Sequence, residues 1–135
     1  MRCESWLNNQ NLSIPGFHTL RKDRAHARGG GIVVWIRKSL DFETITISLP
    51  RNVAEIFRLR LKNCRPKLDV MICFRPPSLK TTLQNWENII QCVDVSRAAL
   101  FMGDFNAHNK SWNCALCDNN GLNFEQAYAA RGLSL

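Results

Sequence analysis

An α+β layered sandwich is the fold class that this sequence predicts. Three observations carry it. Two neighbouring stretches alternate apolar and polar residues across a proline-bearing turn. The next stretch repeats apolar residues at spacings of three and four. The one after it returns to a short apolar run. Short strands with one apolar face, covered by helices, bury that face by layering.

The elements follow in chain order. "GGGIVVWIRKSL" opens on a glycine turn and continues with β-branched and aromatic residues, which predicts a strand. "FETITISL" sets Phe42, Thr44, Thr46 and Ser48 against Glu43, Ile45, Ile47 and Leu49, a weaker alternation of the same kind. "VAEIFRLRL" points Val53, Glu55, Phe57, Leu59 and Leu61 one way and Ala54, Ile56, Arg58, Arg60 and Lys62 the other. One face is mainly apolar and the other turns basic. "KLDVMICF" repeats this with Leu68, Val70, Ile72 and Phe74 on one side, and Asn63 to Lys67, which contains Pro66, reads as a hairpin turn. Pro76 and Pro77 stop the strand. Leu79, Leu83, Trp86, Ile90 and Val93 then form the apolar stripe of an amphipathic helix. "AALFMGD" is a short strand. Asn119 or Asn120 is expected to cap a second helix reaching about Arg131, with Gly132 as its left-handed terminator. Leu133 to Leu135 read as the opening of another strand.

With 135 residues, no repeat and no low-complexity linker, residues 1–135 read as one domain. No apolar run approaches the ~20 residues that cross a bilayer, and there is no signal-peptide pattern, so the expectation is an intracellular domain with no membrane partner. The formal charge of +7 suits contact with a polyanion as well as a merely soluble basic surface. The basic residues cluster: Arg21, Lys22, Arg24 and Arg28, then Arg51, Arg58, Arg60, Lys62, Arg65 and Lys67. Of six cysteines, four stand alone and read as reduced thiols, while Cys114 and Cys117 form a lone C-x-x-C pair. A zinc site needs about four ligands, and no second pair is present.

"FMGDFNAHNKSW", residues 101–112, sets a carboxylate, an amide and an imidazole at the exit of an apolar strand. A scaffold fixes such side chains while the loop stays open to a substrate. Asp104 can coordinate a hard cation or orient a water, and Asn106 and His108 can donate to a phosphate oxygen. An Asx-turn, with Asp104 and Asn106 satisfying their own backbone, explains the same residues without chemistry.

"GDFNAHNKSW" resembles the G-D-F-N-A-H-x-x-x-W signature of the endonuclease/exonuclease/phosphatase superfamily, in the form carried by jockey-type non-LTR retrotransposons. "CESWLN" (residues 3–8) resembles its E-T-W-L segment, residues 23–40 resemble its D-R-x-x-x-x-G-G-G segment, and "ICFRPP" (residues 72–77) resembles its Y-R-P-P segment. The resemblance spans Glu4 to Leu135. It implies an incomplete DNase I-like fold, a four-layer α/β/β/α sandwich with mixed, mostly antiparallel sheets.

The resemblance further implies that Glu4 holds Mg²⁺ (or Mn²⁺), that Asp104 aligns or activates the attacking water, and that Asn106 stabilises charge on the scissile phosphate. It also implies that Arg75 and His108 contact the substrate. The activity implied is nicking of DNA for retrotransposon insertion, in the nucleus, with a reverse transcriptase domain elsewhere in a longer polyprotein. Three departures bear on this. The family's first strand and its asparagine have no counterpart ahead of Glu4, its S-D-H segment is not found, and its tyrosine before Arg75 is Phe74. The expectation is therefore a partial domain, truncated at both ends and weakly active or inactive by itself, the alternative being a non-catalytic nucleic-acid-binding remnant whose basic clusters hold phosphates.

Overall fold

The computed structural model of the chain describes residues 2–3, 12–23, 31–50 and 53–134. Glu4, which the resemblance marks as the metal ligand, lies outside them, as do Arg24, Arg28 and Arg51.

Seven strands form two sheets. The first has the order β1-β3-β2, with β1 (Arg2–Cys3) and β2 (Phe17–Lys22) both antiparallel to β3 (Ile32–Arg37). The second has the order β4-β5-β6-β7, from β4 (Phe42–Ile45), β5 (Glu55–Leu61), β6 (Leu68–Phe74) and β7 (Ala98–Asp104). Its first three strands are antiparallel and β7 joins β6 in parallel. That parallel join needs a crossover, supplied by α1 (Leu83–Gln91). The chain then continues through a short 3₁₀ turn at Lys110–Trp112 into α2 (Asn119–Ala130).

Two cores follow from the alternation. Ile32, Val34 and Ile36 of β3 meet Leu59, Val70, Ile72 and Phe74 of the second sheet, so the sheets pack face to face. The opposite face of the second sheet, through Ile56, Met71 and Cys73, packs against Trp86, Ile89 and Ile90 of α1 and Phe124 and Ala127 of α2. The described residues thus form three layers: sheet, sheet, helices. β6 lies in the middle layer and is buried on both faces, which is why Met71 and Cys73 are as enclosed as Ile72 and Phe74.

The hairpin over Asn63 to Lys67 and the strand stop before the prolines match the sequence pattern, and α1 carries Leu83, Trp86 and Ile90 of the expected stripe, with Leu79 ahead of its start and Val93 past its end. Thr82 caps α1, its side chain accepting from the N–H of Asn85. Four expectations are corrected. β4 ends at Ile45, and Ile47 and Leu49 instead lie against the helix-side core. The cap of α2 is Asp118, since a carboxylate just outside the first turn reaches the N–H of Gly121 at 2.6 Å. Leu133 and Ser134 do not begin a strand: Gly132 turns left-handed (φ +64°), and the N–H of Leu133 closes on the Tyr128 carbonyl. Leu135 lies outside the described residues.

The fourth correction concerns charge. Arg58, Arg60 and Lys62 are not free charges on the basic face but are ion-paired. Asp69, only 3 % exposed, receives Arg58 at 2.6 Å and Arg60 at 2.7 Å, and Glu43 receives Arg60 at 3.1 Å and Lys62 at 3.3 Å. Burial works to raise the Asp69 carboxyl, but the bonds from Arg60 and Arg58 outweigh it and hold it below the usual carboxylate range. Arg21 of the first basic cluster pairs with Asp23 at 2.6 Å. No described helix is long and apolar enough to cross a membrane.

Candidate active site

β7 delivers Asp104 to the rim of the second sheet. Gly103, just before it, runs so close to β6 that any Cβ would fall onto the backbone carbonyl of Cys73, so only glycine lets the two strands meet there. Parallel pairing sets Asp104 opposite Phe74, and antiparallel pairing sets Phe74 opposite Glu55. These three residues make a row across the rim on the face that packs against the first sheet. At ~4.8 Å per strand, Glu55 and Asp104 lie about 10 Å apart along it. Glu55 accepts the N–H of Gly31 at 2.6 Å, tying the rim to the glycine turn before β3. Cys3 pairs with Ile32, the residue after Gly31.

Asp104 is exposed. Its Oδ1 accepts the N–H of Asn106 at 3.2 Å, so the Asx-turn forms. Its second oxygen has no partner among the described residues. The turn and the chemistry are therefore compatible, because one oxygen serves each. Asn106 sits in the left-handed region (φ +43°), which asparagine tolerates better than most non-glycine residues.

Arg75 holds this turn in place. It is 5 % exposed, and its guanidinium faces neutral oxygens. Nε donates to Thr81 Oγ1 at 2.7 Å, Nη1 to the Asn106 carbonyl at 3.0 Å, and Nη2 to the Leu79 carbonyl. Asn106 returns the contact, its Nδ2 donating to the Arg75 carbonyl at 2.7 Å, and the Arg75 N–H reaches the Asp104 carbonyl at 2.9 Å. Burial pulls the guanidinium pKa down, while the nearby carboxylates of Asp118 and Asp104 work to raise it. The resemblance implies that Arg75 contacts the substrate; in the structure its guanidinium bonds Thr81, Leu79 and Asn106 and acts as a strut for the turn.

The loop is anchored a second time by α2. Asn120, 9 % exposed, donates through Nδ2 to the Asn106 carbonyl at 2.8 Å and the Phe105 carbonyl at 3.2 Å, while its Oδ1 accepts the indole N–H of Trp86 at 2.8 Å. Gly121 follows, and a Cβ there would collide with the His108 carbonyl. His108 is exposed, with Nδ1 2.7 Å from Asp118 Oδ2, and Asp118 returns its N–H to the His108 carbonyl. Burial works to raise the Asp118 carboxyl, and the bonds from the His108 side chain and the Gly121 N–H hold it below its ordinary value. Trp112 of the signature packs edge-on against Phe124 and donates its indole N–H to the Ala107 carbonyl at 3.0 Å.

The structure thus gathers Asp104, Asn106, Arg75 and His108 on one loop and its supports. Sequence reading missed Asn120, Asp118 and Glu55. An N-cap carboxylate is a legible signal for Asp118, and the end of an alternating strand is one for Glu55. Nothing in the local pattern marks Asn120, whose partners are remote in the chain.

For a hard cation, the chemistry of the set is partly present. Mg²⁺ keeps most of its waters and uses one or two carboxylates, and Asp104 offers at the rim an exposed carboxylate with one oxygen unpartnered among the described residues. Among the described residues no three His, Cys, Asp or Glu side chains come together, Cys114 and Cys117 included.

The profile of the endonuclease-reverse transcriptase family matches residues 68–135. Among solved structures, the endonuclease domain of TRAS1, a telomere-specific non-LTR retrotransposon, has a similar fold: TM-score 0.68 at 14 % identity, covering 90 % of this chain and 55 % of that one. The chain therefore spans about half the length of the solved domain. No curated protein matches it. The matched profile takes in β6, the Arg75 strut, β7 with the Asp104–Asn106 turn, and α2, and on that half of its length the chain belongs to the endonuclease-reverse transcriptase family.

Proposed function

We propose that this chain is part of a metal-dependent endonuclease that nicks DNA phosphodiester bonds for insertion of a jockey-type non-LTR retrotransposon. The observation that carries this reading is the Asp104–Asn106 turn: an exposed carboxylate with one oxygen unpartnered among the described residues, beside an amide whose backbone is fixed from two sides. In hydrolysis a water oxygen forms a new bond to phosphorus and one P–O ester bond breaks. Asp104 orients that water and accepts its proton. Asn106 lies at hydrogen-bonding reach of the oxygens that gain charge, and a preorganised donor there acts without reorganising. His108, oriented through Nδ1 by Asp118, presents its other ring nitrogen to a neighbouring phosphate. Mg²⁺ or Mn²⁺, held by Glu4, would neutralise charge on the phosphate when bound.

The DNA substrate, the reverse transcriptase domain in a longer polyprotein and cleavage in the nucleus belong to the same proposal. So does low activity of residues 1–135 by themselves, which hold no S-D-H sequence. The test is single-turnover nicking of supercoiled plasmid with the protein in excess over DNA, with and without Mg²⁺. A slow, Mg²⁺-dependent rate that falls about 10²–10⁴-fold in Asp104→Ala is expected. Nicking that needs no Mg²⁺, or that Asp104→Ala leaves unchanged, overturns the reading, and salt-sensitive DNA binding without nicking favours the non-catalytic remnant.

A further inference from the structure

We infer that Asn120 is a positioning residue for Asn106, joining the buried indole of Trp86 to the active-site turn through its side-chain amide. The inference rests on the proposed nuclease reading for its meaning in catalysis, and on geometry for its existence.

Asn120 occupies the second position of α2, a helix place where nothing about packing calls for an amide. It is nevertheless enclosed, and each of its hydrogen-bonding atoms is used. An asparagine amide presents a similar shape whichever way it is turned, so its direction must be set by a neighbour. Trp86 sets it. An indole N–H can only donate, so Oδ1 must face it and the NH₂ must face the loop. The loop end is equally one-sided, because both of its groups, Phe105 and Asn106, offer carbonyl oxygens. The reverse orientation would set oxygen against two carbonyls and one donor against another. The amide is therefore locked at both ends.

What it locks is the peptide that fixes Asn106. The Asn106 carbonyl accepts from Asn120 on the helix side and from Arg75 on the strand side, and φ at Asn106 is left-handed. A carbonyl gripped twice cannot swing, and the side chain on the same Cα keeps its direction. Arg75 by itself leaves that carbonyl one bond and one direction of escape. Misplacement of a reacting group by about 1 Å costs on the order of 10²-fold in rate, so the second grip matters to the chemistry and not only to the fold.

Asn123, one turn further along α2, gives the matched control. Its Nδ2 donates to the Thr81 carbonyl at 3.1 Å, a bond of the same type from the same helix that does not touch the turn. The experiment compares Asn120→Ala with Asn123→Ala in two readouts: single-turnover nicking over a range of protein concentrations in excess of DNA, and hydrogen exchange of the Asn106 backbone amide followed by NMR. Asn120→Ala is expected to lower the nicking rate at saturating protein about 10- to 100-fold with the half-saturating concentration within about twofold, the split that marks loss of an interaction used in the transition state. Exchange at Asn106 is expected to quicken at least about tenfold. Asn123→Ala is expected to leave both as in the wild type. If Asn120→Ala does not fold, Trp86→Phe decides, since it removes the donor that orients the amide and is expected to move both readouts in the same direction by less. Wild-type protein that fails to nick would count against the nuclease reading, and the exchange readout would still decide the positioning. Equal behaviour of Asn120→Ala and Asn123→Ala in both readouts overturns the inference.

Discussion

The central strand β6 is bracketed by two buried polar residues, Asp69 near its start and Arg75 just past its end, and the molecule treats them in opposite ways. Asp69 is met by charge: two arginines converge on it, with Glu43, Asp94 and Lys62 extending the network outward. Arg75 is met by neutral oxygens: a threonine hydroxyl and two backbone carbonyls. Ion pairs are strong but loosely directed, and salt screens them where solvent reaches. Hydrogen bonds to fixed carbonyls are directional, and salt reaches them less. The end of the sheet that carries the candidate active site is held by the second kind. A charged cluster can keep a sheet together, but a site that must aim an amide needs partners that do not rearrange.

Three measurements break or sharpen this contrast, beginning with the largest effect. Arg75→Met removes every guanidinium donor, taking one from the Thr81 hydroxyl and the Leu79 carbonyl and leaving the Asn106 carbonyl to Asn120 alone, so urea unfolding should show a loss of about 3–4 kcal/mol, little altered by added salt. A loss below 1 kcal/mol would mean that the strut is dispensable.

Asp69→Asn comes next. Arg58 and Arg60 can turn toward Glu43, Asp94 and water, so the expected loss is about 2 kcal/mol and should shrink as salt rises. The same variant tests the pH dependence. The folded-state pKa values of Asp69 and Asp118 lie below their unfolded values, so in the acid range the unfolded chain binds more protons. Their contribution is present above the unfolded value of about 4 and is lost as pH falls through the folded value. Asp69→Asn should flatten that acid slope, and an unchanged slope would remove Asp69 from the account.

The smallest effect belongs to Trp112→Phe. It deletes the donor to the Ala107 carbonyl while keeping an aromatic ring against Phe124, and a loss of about 1 kcal/mol in thermal unfolding is expected.

Much of the fold was legible because its strands are strongly patterned. β3, β5, β6 and β7 and the α1 stripe follow from alternation and spacing. β2 did not, because "FHTLRK" buries neither face well and its pattern is set by pairing with β3 rather than by a core. The basic face of β5 was visible, but not its neutralisation, since Asp69 lies across a hairpin and Glu43 on a different strand. At the site, the acid, amide and imidazole stood out in one run of the chain. Their supports did not: Asn120 is 14 residues from Asn106 and 34 from Trp86. The candidate site's polar side chains cluster in sequence here, whereas those that hold them still are brought together by folding.

The left-handed backbone at Asn106 has a consequence for inheritance. Glycine would suit the bend but carries no amide, and glutamine would keep an amide but fits the bend poorly. An aspartate tolerates the bend yet brings an acceptor where a donor faces the Arg75 carbonyl. Two independent demands fall on a single codon, so a lineage cannot relax one of them while still meeting the other. Copies of this domain that drift at this position should lose the geometry of the turn or its chemistry in a single step, with no intermediate that keeps both.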